Sequence, residues 1–108
     1  MARPPNSSQV EITGFGTGYG ECIVCHLGGG IWMIVDSLIA RGETEPVAIT
    51  YLESPGIKPA SAVQLITVTH WHDDHVRGLS NIVKRCPNAV VVASDALSRD
   101  RARSYFDL

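Results

Sequence analysis

Apolar and polar positions fall into short extended runs through the first third of the chain, and only later adopt helical spacing. Val10 to Gly14 starts extended, and Glu21 to Leu27 reads as a second strand. Gly28-Gly29-Gly30 follows, a turn where glycine tolerates positive φ and lets the chain double back. Ile31-Trp32-Met33-Ile34-Val35 is nearly continuously apolar and closes at Asp36, which predicts a strand covered on both faces. A helix is expected from Pro46, with Thr44 as its cap, an apolar stripe of Val47, Ala48, Tyr51 and Leu52, and an end at Pro55-Gly56. Val63 to Thr69 is again a β-rich run. From His75 the period changes: Val76, Leu79, Ile82 or Val83, and Cys86 recur at helical spacing until Pro87 stops them. Ala89 to Ala93 predicts another buried strand, and Ser94-Asp95 caps a last helix running into Leu108. Strands alternating with helices predict an α/β protein with α and β in layers.

Length and charge narrow the picture. The 108 residues allow one small domain, which would hide only roughly 65% of the surface its unfolded chain exposes. A formal net charge of −2 gives no strong global attraction to nucleic acid or acidic membranes. No apolar run approaches the ~20 residues that span a bilayer, so no membrane partner is expected. Residues 1–9 carry one basic residue and no hydrophobic core behind it, and are expected to be a mobile tail rather than a signal peptide. Three cysteines, Cys22, Cys25 and Cys86, give an odd count without framework spacing, which suits a reducing, cytoplasmic location.

The chemistry concentrates in His70-Trp71-His72-Asp73-Asp74-His75, which holds three of the four histidines of the chain. Histidines at i and i+2 on a strand end project to the same side. Their nitrogens can then converge to within about 2.0–2.1 Å of one zinc ion. Asp74 and His75 lie just beyond, where strand gives way to helix, and offer one oxygen and one nitrogen ligand to a second ion. Two ions ~3.5–4 Å apart can share a water and lower its pKa toward ~7, with Asp74 as ligand and orienter. Asp74 alone would also suit the N-cap of the following helix, and a single histidine at a strand end is usually structural. The set taken together predicts metal binding. Zinc suits these donors best, although manganese and iron accept them too.

Thr69-His70-Trp71-His72-Asp73-Asp74-His75, preceded by its apolar strand, resembles the H-x-H-x-D-H motif of the metallo-β-lactamase superfamily. The resemblance implies that His70 and His72 hold a first metal and Asp74 and His75 a second. It also implies that Asp36 is the family's aspartate near the site, supporting the ligands from behind, and that Gly78 permits close helix packing. The fold implied is a four-layer αββα sandwich, of which residues 10–108 would form the first half as a partial domain. The implied activity is a metal-dependent hydrolase, with metal-bound hydroxide attacking an ester, amide or phosphodiester and Asp74 as catalytic residue. Its partner would be a small-molecule or phosphodiester substrate. Gly16-Thr17-Gly18-Tyr19-Gly20-Glu21-Cys22-Ile23 resembles the opening of one branch, the soluble domains of DNA-uptake channel proteins.

Two departures matter. The family often places glycine two residues after its upstream aspartate, where this chain has Leu38. It also completes its site with further histidine and aspartate ligands downstream, and the only other histidine here, His26, lies upstream. An alternative expectation is therefore a truncated, non-enzymatic half-domain. It would self-associate, or pair with a chain supplying the missing C-terminal half, through an apolar face left uncovered.

Three other signals are weaker. Cys22-x-x-Cys25-His26 matches a haem-attachment pattern, but positions 22 and 25 of a strand face opposite ways. The glycines at 14, 16, 18 and 20 precede a strand and offer no helix N-terminus to a phosphate. Arg99, Arg101 and Arg103 interleave with Asp95, Asp100 and Asp107, which predicts a solvated face.

Overall fold

The structure is a computed structural model, which describes residues 3–16, 21–69 and 73–93; the side chains of residues 73–77 are outside that description. The elements follow the order of the apolar runs. They are β1 (Glu11–Gly16), β2 (Glu21–His26), β3 (Trp32–Val35), α1 (Val47–Glu53), α2 (Pro59–Ala62), β4 (Val63–Val68), α3 (Asp73–Arg85) and β5 (Val90–Ala93). The strands form one mixed sheet in the order β1-β2-β3-β4-β5. The first two pairings are antiparallel, and β3, β4 and β5 run parallel. Five strands plus helices make an α+β layered arrangement.

Burial shows why the period-2 runs became strands. On one face Cys22 and Val24 of β2, Trp32 and Ile34 of β3, and Val63, Ile66 and Val68 of β4 are buried. They meet Ala48, Ile49 and Leu52 of α1 and Leu79 and Ile82 of α3 in a single core. The stripe of α1 is thus an inward face, as expected, with Ile49 added to it.

Four expectations change. Thr44 is not the cap of α1: the N-cap is Pro46 in an extended conformation, with no side-chain hydrogen bond. A proline there leaves no N–H to satisfy and sets φ for the helix. α2 is an added turn of four residues, too short to carry a periodic signal. α3 already runs from Asp73, so Asp74 lies in its first turn and is not the N-cap. β5 is an edge strand with Val90 and Val92 exposed, so its apolar run is not buried as expected. The last helix expected from Ser94, and the arginines on it, lie outside the described residues.

The hairpin between β2 and β3 turns as expected, closed by Leu27 N–H to the Ile31 carbonyl at 2.8 Å. Gly28 has φ +98°, and a Cβ there would sit 3.4 Å from the Ser7 carbonyl. The N-terminal segment lies against this hairpin. Gly29 N–H donates to the Ser7 carbonyl at 2.7 Å, and Gln9 N–H to the Asn6 carbonyl at 2.9 Å.

Candidate metal centre

Parallel β3 and β4 end side by side, and the chain leaves β4 directly into the histidine segment. β3 ends at Val35, paired with Thr67 of β4. Asp36 follows with φ +58°, a left-handed conformation that Asp tolerates better than most residues. Two positions later, where the family often has glycine, stands Leu38. Its carbonyl accepts the Val47 N–H at 2.8 Å at the entry to α1.

Asp36 is buried, with 5% of its surface exposed. Its backbone N–H donates to the Thr67 carbonyl at 2.8 Å, extending the β3–β4 ladder by one step. Its carboxylate accepts the Thr69 N–H at 2.8 Å through Oδ1 and the Thr69 hydroxyl through Oδ2. The Cys22 thiol donates to the Asp36 carbonyl at 3.6 Å. Burial, the nearby Asp36 charge and Cys25 together push that thiol from its ordinary 9.0 up to about 12, against a smaller opposing hydrogen bond from Leu38 backbone. One buried aspartate thus joins β2, the end of β3 and the residue immediately before His70.

The remaining candidate ligands divide into two groups. His70 and His72 lie outside the described residues. Asp74 and His75 are placed by their backbone in the first turn of α3, without a description of their side chains. Among the described residues no three metal-ligating side chains converge. Asp36 is the described member of the set, and it is bonded to Thr69, the residue that precedes the segment. His26, the remaining histidine, is buried and engages both ring nitrogens: Nδ1 lies 2.7 Å from the Gln9 carbonyl, and Gly30 N–H donates to Nε2 at 3.1 Å.

The donors fit a borderline divalent ion, since imidazole with carboxylate is the usual mixture at zinc. The position fits as well. The segment starts at the C-terminal ends of parallel strands and runs into a helix N-terminus, where ligand sites of open α/β sheets gather. Thr69 was missed as a functional residue in the sequence. Its one signal there was a hydroxyl at the strand end, next to the first histidine.

The comparisons with known proteins agree on the family. The sequence model of the Metallo-beta-lactamase superfamily matches residues 16–103, so the chain belongs to that superfamily. It is 31% identical over 71 residues to a hydroxyacylglutathione hydrolase of Vibrio campbellii (strain ATCC BAA-1116). Hydroxyacylglutathione hydrolase 2 of Vibrio vulnificus (strain YJ016) matches to the same degree. Each match covers 61% of this chain and 26% of the relative, so the chain spans about a quarter of the curated relatives it matches. The crystal structure of metallo-beta-lactamase SMB-1 bound to 2-mercaptoethanesulfonate superposes with a TM-score of 0.56 at 26% identity, covering 74% of this chain and 29% of that one. The described sheet and helices are therefore part of the metallo-beta-lactamase fold.

Proposed function

We propose that the protein is a metal-dependent hydrolase, with His70, His72, Asp74 and His75 as its metal ligands and Asp36 as their support. The observation that carries this is the buried Asp36 carboxylate, tied to Thr69 at the mouth of the H-x-H-x-D-H segment in a chain of this superfamily. Two zinc ions suit the donors, and manganese or iron are the alternatives. When bound, such ions lower the pKa of water toward ~7 and stabilise charge developing on a substrate oxygen.

The chain's own residues divide the work. His70 and His72 would hold one ion and Asp74 and His75 a second, with Asp74, as catalytic residue, also accepting a hydrogen bond from the attacking water. Asp36 keeps the strand end fixed. An ester, amide or phosphodiester is the proposed substrate class. Relatives named hydroxyacylglutathione hydrolase favour the acyl side of that range. No helix among the described residues is long and apolar enough to cross a membrane. Three free, buried cysteines support a reducing cytoplasm.

Metal content of protein purified without chelators tests the reading. About one to two equivalents of zinc, lost in His72→Ala and accompanied by turnover that Asp74→Asn abolishes, is the expected result. Metal retained in His72→Ala overturns it.

A second reading has its own observation. The sheet face away from the helices carries Ile12, Ile23, Met33, Val35, Leu65, Val90 and Val92, with a buried Cys25 among them, by the register of the pairings. Ile12 is 71% exposed and Val90 64%. A chain with this face open would act as an interaction half-domain, pairing with a second copy or with a chain that carries the remaining ligands.

A further inference from the structure

The segment that bears the candidate ligands leaves β4 through a single residue, Thr69, whose N–H and hydroxyl are both donated to the buried carboxylate of Asp36. Two donors from one residue to two oxygens of one carboxylate fix more than distance. The N–H bond sets where the backbone of residue 69 lies. The hydroxyl bond, made to the other carboxylate oxygen, fixes the side-chain rotamer of that residue as well.

Asp36 is itself unable to yield. Its backbone N–H is engaged by the Thr67 carbonyl at 2.8 Å and its carbonyl by the Cys22 thiol at 3.6 Å, so its position is set by β4 and β2. Its left-handed φ of +58° persists because these neighbours over-determine it. A rigid acceptor with a two-point donor is a device for aiming whatever follows Thr69.

We propose that the Thr69 hydroxyl is a positioning group for the metal-binding segment, acting through Asp36 to aim the chain toward His70. The inference rests on the metal-binding reading of that segment. Isosteric Thr69→Val removes the hydroxyl and keeps the N–H bond, whereas Thr69→Ser keeps both donors and removes only a methyl.

The test is zinc affinity of the full chain by competition with a chromophoric chelator, with His72→Ala as reference and thermal unfolding measured alongside. Partners that orient metal ligands typically set about 10- to 100-fold of the affinity, so Thr69→Val should weaken zinc by that factor and Thr69→Ser by less than about threefold. Cobalt(II) as a spectroscopic probe should show altered ligand-field bands in Thr69→Val and unaltered ones in Thr69→Ser. Wild-type affinity in Thr69→Val, with zinc lost in His72→Ala, overturns the positioning role and leaves the metal reading standing. Equal losses in the valine and serine variants also overturn it, because the hydroxyl is then not the group responsible. Failure of the unsubstituted chain to bind zinc, or full affinity in His72→Ala, overturns the metal reading and this inference with it.

Discussion

Gly78 of α3 lies so close to Ser37 that a Cβ added to the glycine would stand 2.2 Å from the serine Oγ and 3.2 Å from its Cβ. Ile39 Cγ1 would lie 3.4 Å away on the same side. Ser37 is buried directly after Asp36, so α3 is pressed against the bend that follows β3. Only glycine permits this approach.

Gly78→Ala sets two effects against each other. Removing glycine from a helix interior normally gains about 1 kcal/mol. Overpacking against a buried neighbour costs about 1–3 kcal/mol. At 2.2 Å the steric cost wins, and Gly78→Ala should lower stability in denaturant melts. Adding Ser37→Ala removes the nearest obstructing atom and should restore part of the loss. A variant more stable than the parent would show that α3 can shift away from the bend.

The buried thiols make stability fall at high pH. Burial first, then the Asp36 charge and Cys25, raise Cys22 to about 12, and burial raises Cys86 to about 11 against the opposing charge of Arg85. Both stand at 9.0 ordinarily. The unfolded chain then gives up protons that the folded chain keeps, so the slope of stability with pH is negative in that window. The contribution is fully present below about pH 9 and is lost as pH rises through 11 toward 12. Tyr51, raised from 10.0 by burial and then by its hydrogen bond to Glu11, acts in the same direction. The melting temperature should decline across this range, and less steeply in a Cys22→Ala, Cys86→Ala variant. Identical slopes in the two proteins would rule out the thiols as the cause.

His26 is fixed as the neutral Nδ1–H tautomer, because Gly30 N–H donates to Nε2 and leaves Nδ1 to donate to the Gln9 carbonyl. Its ring also packs on Trp32, with centroids 4.9 Å apart. Both nitrogens serve the hairpin and the N-terminal segment, so His26 holds no metal. His26→Ala should cost about 1–3 kcal/mol through the cavity and the lost hydrogen bonds. Zinc uptake should stay at the parental level, and nitrogen chemical shifts should report the assigned tautomer. A fall in zinc comparable to that of His72→Ala would make His26 a ligand instead.

These contrasts show how far the sequence was legible. Alternation through Cys22, Val24 and His26, and helical spacing through Leu79 and Ile82, are local patterns, and the elements they mark are present. Close packing at Gly78 was implied by the family resemblance and not by the helical spacing, and Ser37 is the neighbour it meets. The link between Asp36 and Thr69 spans 33 positions, and no local period encodes it. Cys22 appeared as half of a Cys-x-x-Cys-His pattern, yet its role is set by Asp36, which the fold brings alongside. The four residues of α2 are fewer than two helical turns, so they left no stripe to read. Val90-Val91-Val92 reads as buried on both faces, but only Val91 packs toward the core. Composition cannot distinguish a covered strand from one whose outer face is open.

That open face supports the last prediction. Ile12 and Val90 stand on opposite edge strands of the described sheet, β1 and β5, and Ile23 of β2 is exposed on the same face, with Met33, Val35 and Leu65 half-buried between them. Val92 beside Val90 is 48% exposed. Exposed apolar surface of this kind drives association, since each side chain removed from water contributes roughly 25 cal/mol per Å². The chain should therefore form dimers or larger species by light scattering at micromolar concentration. Ile12→Lys with Val90→Lys should shift it toward monomer, because a lysine on each outer strand must be desolvated for two faces to meet. Exposed substitutions of this type move stability by only about ±0.5 kcal/mol, so the melting temperature of the monomer should hold while association weakens. A parent chain that is monomeric at every concentration, with a cooperative melt, would mean that the outer face needs no partner. The interaction half-domain reading would then fail, while the metal reading, which depends on the other end of the sheet, would be untouched.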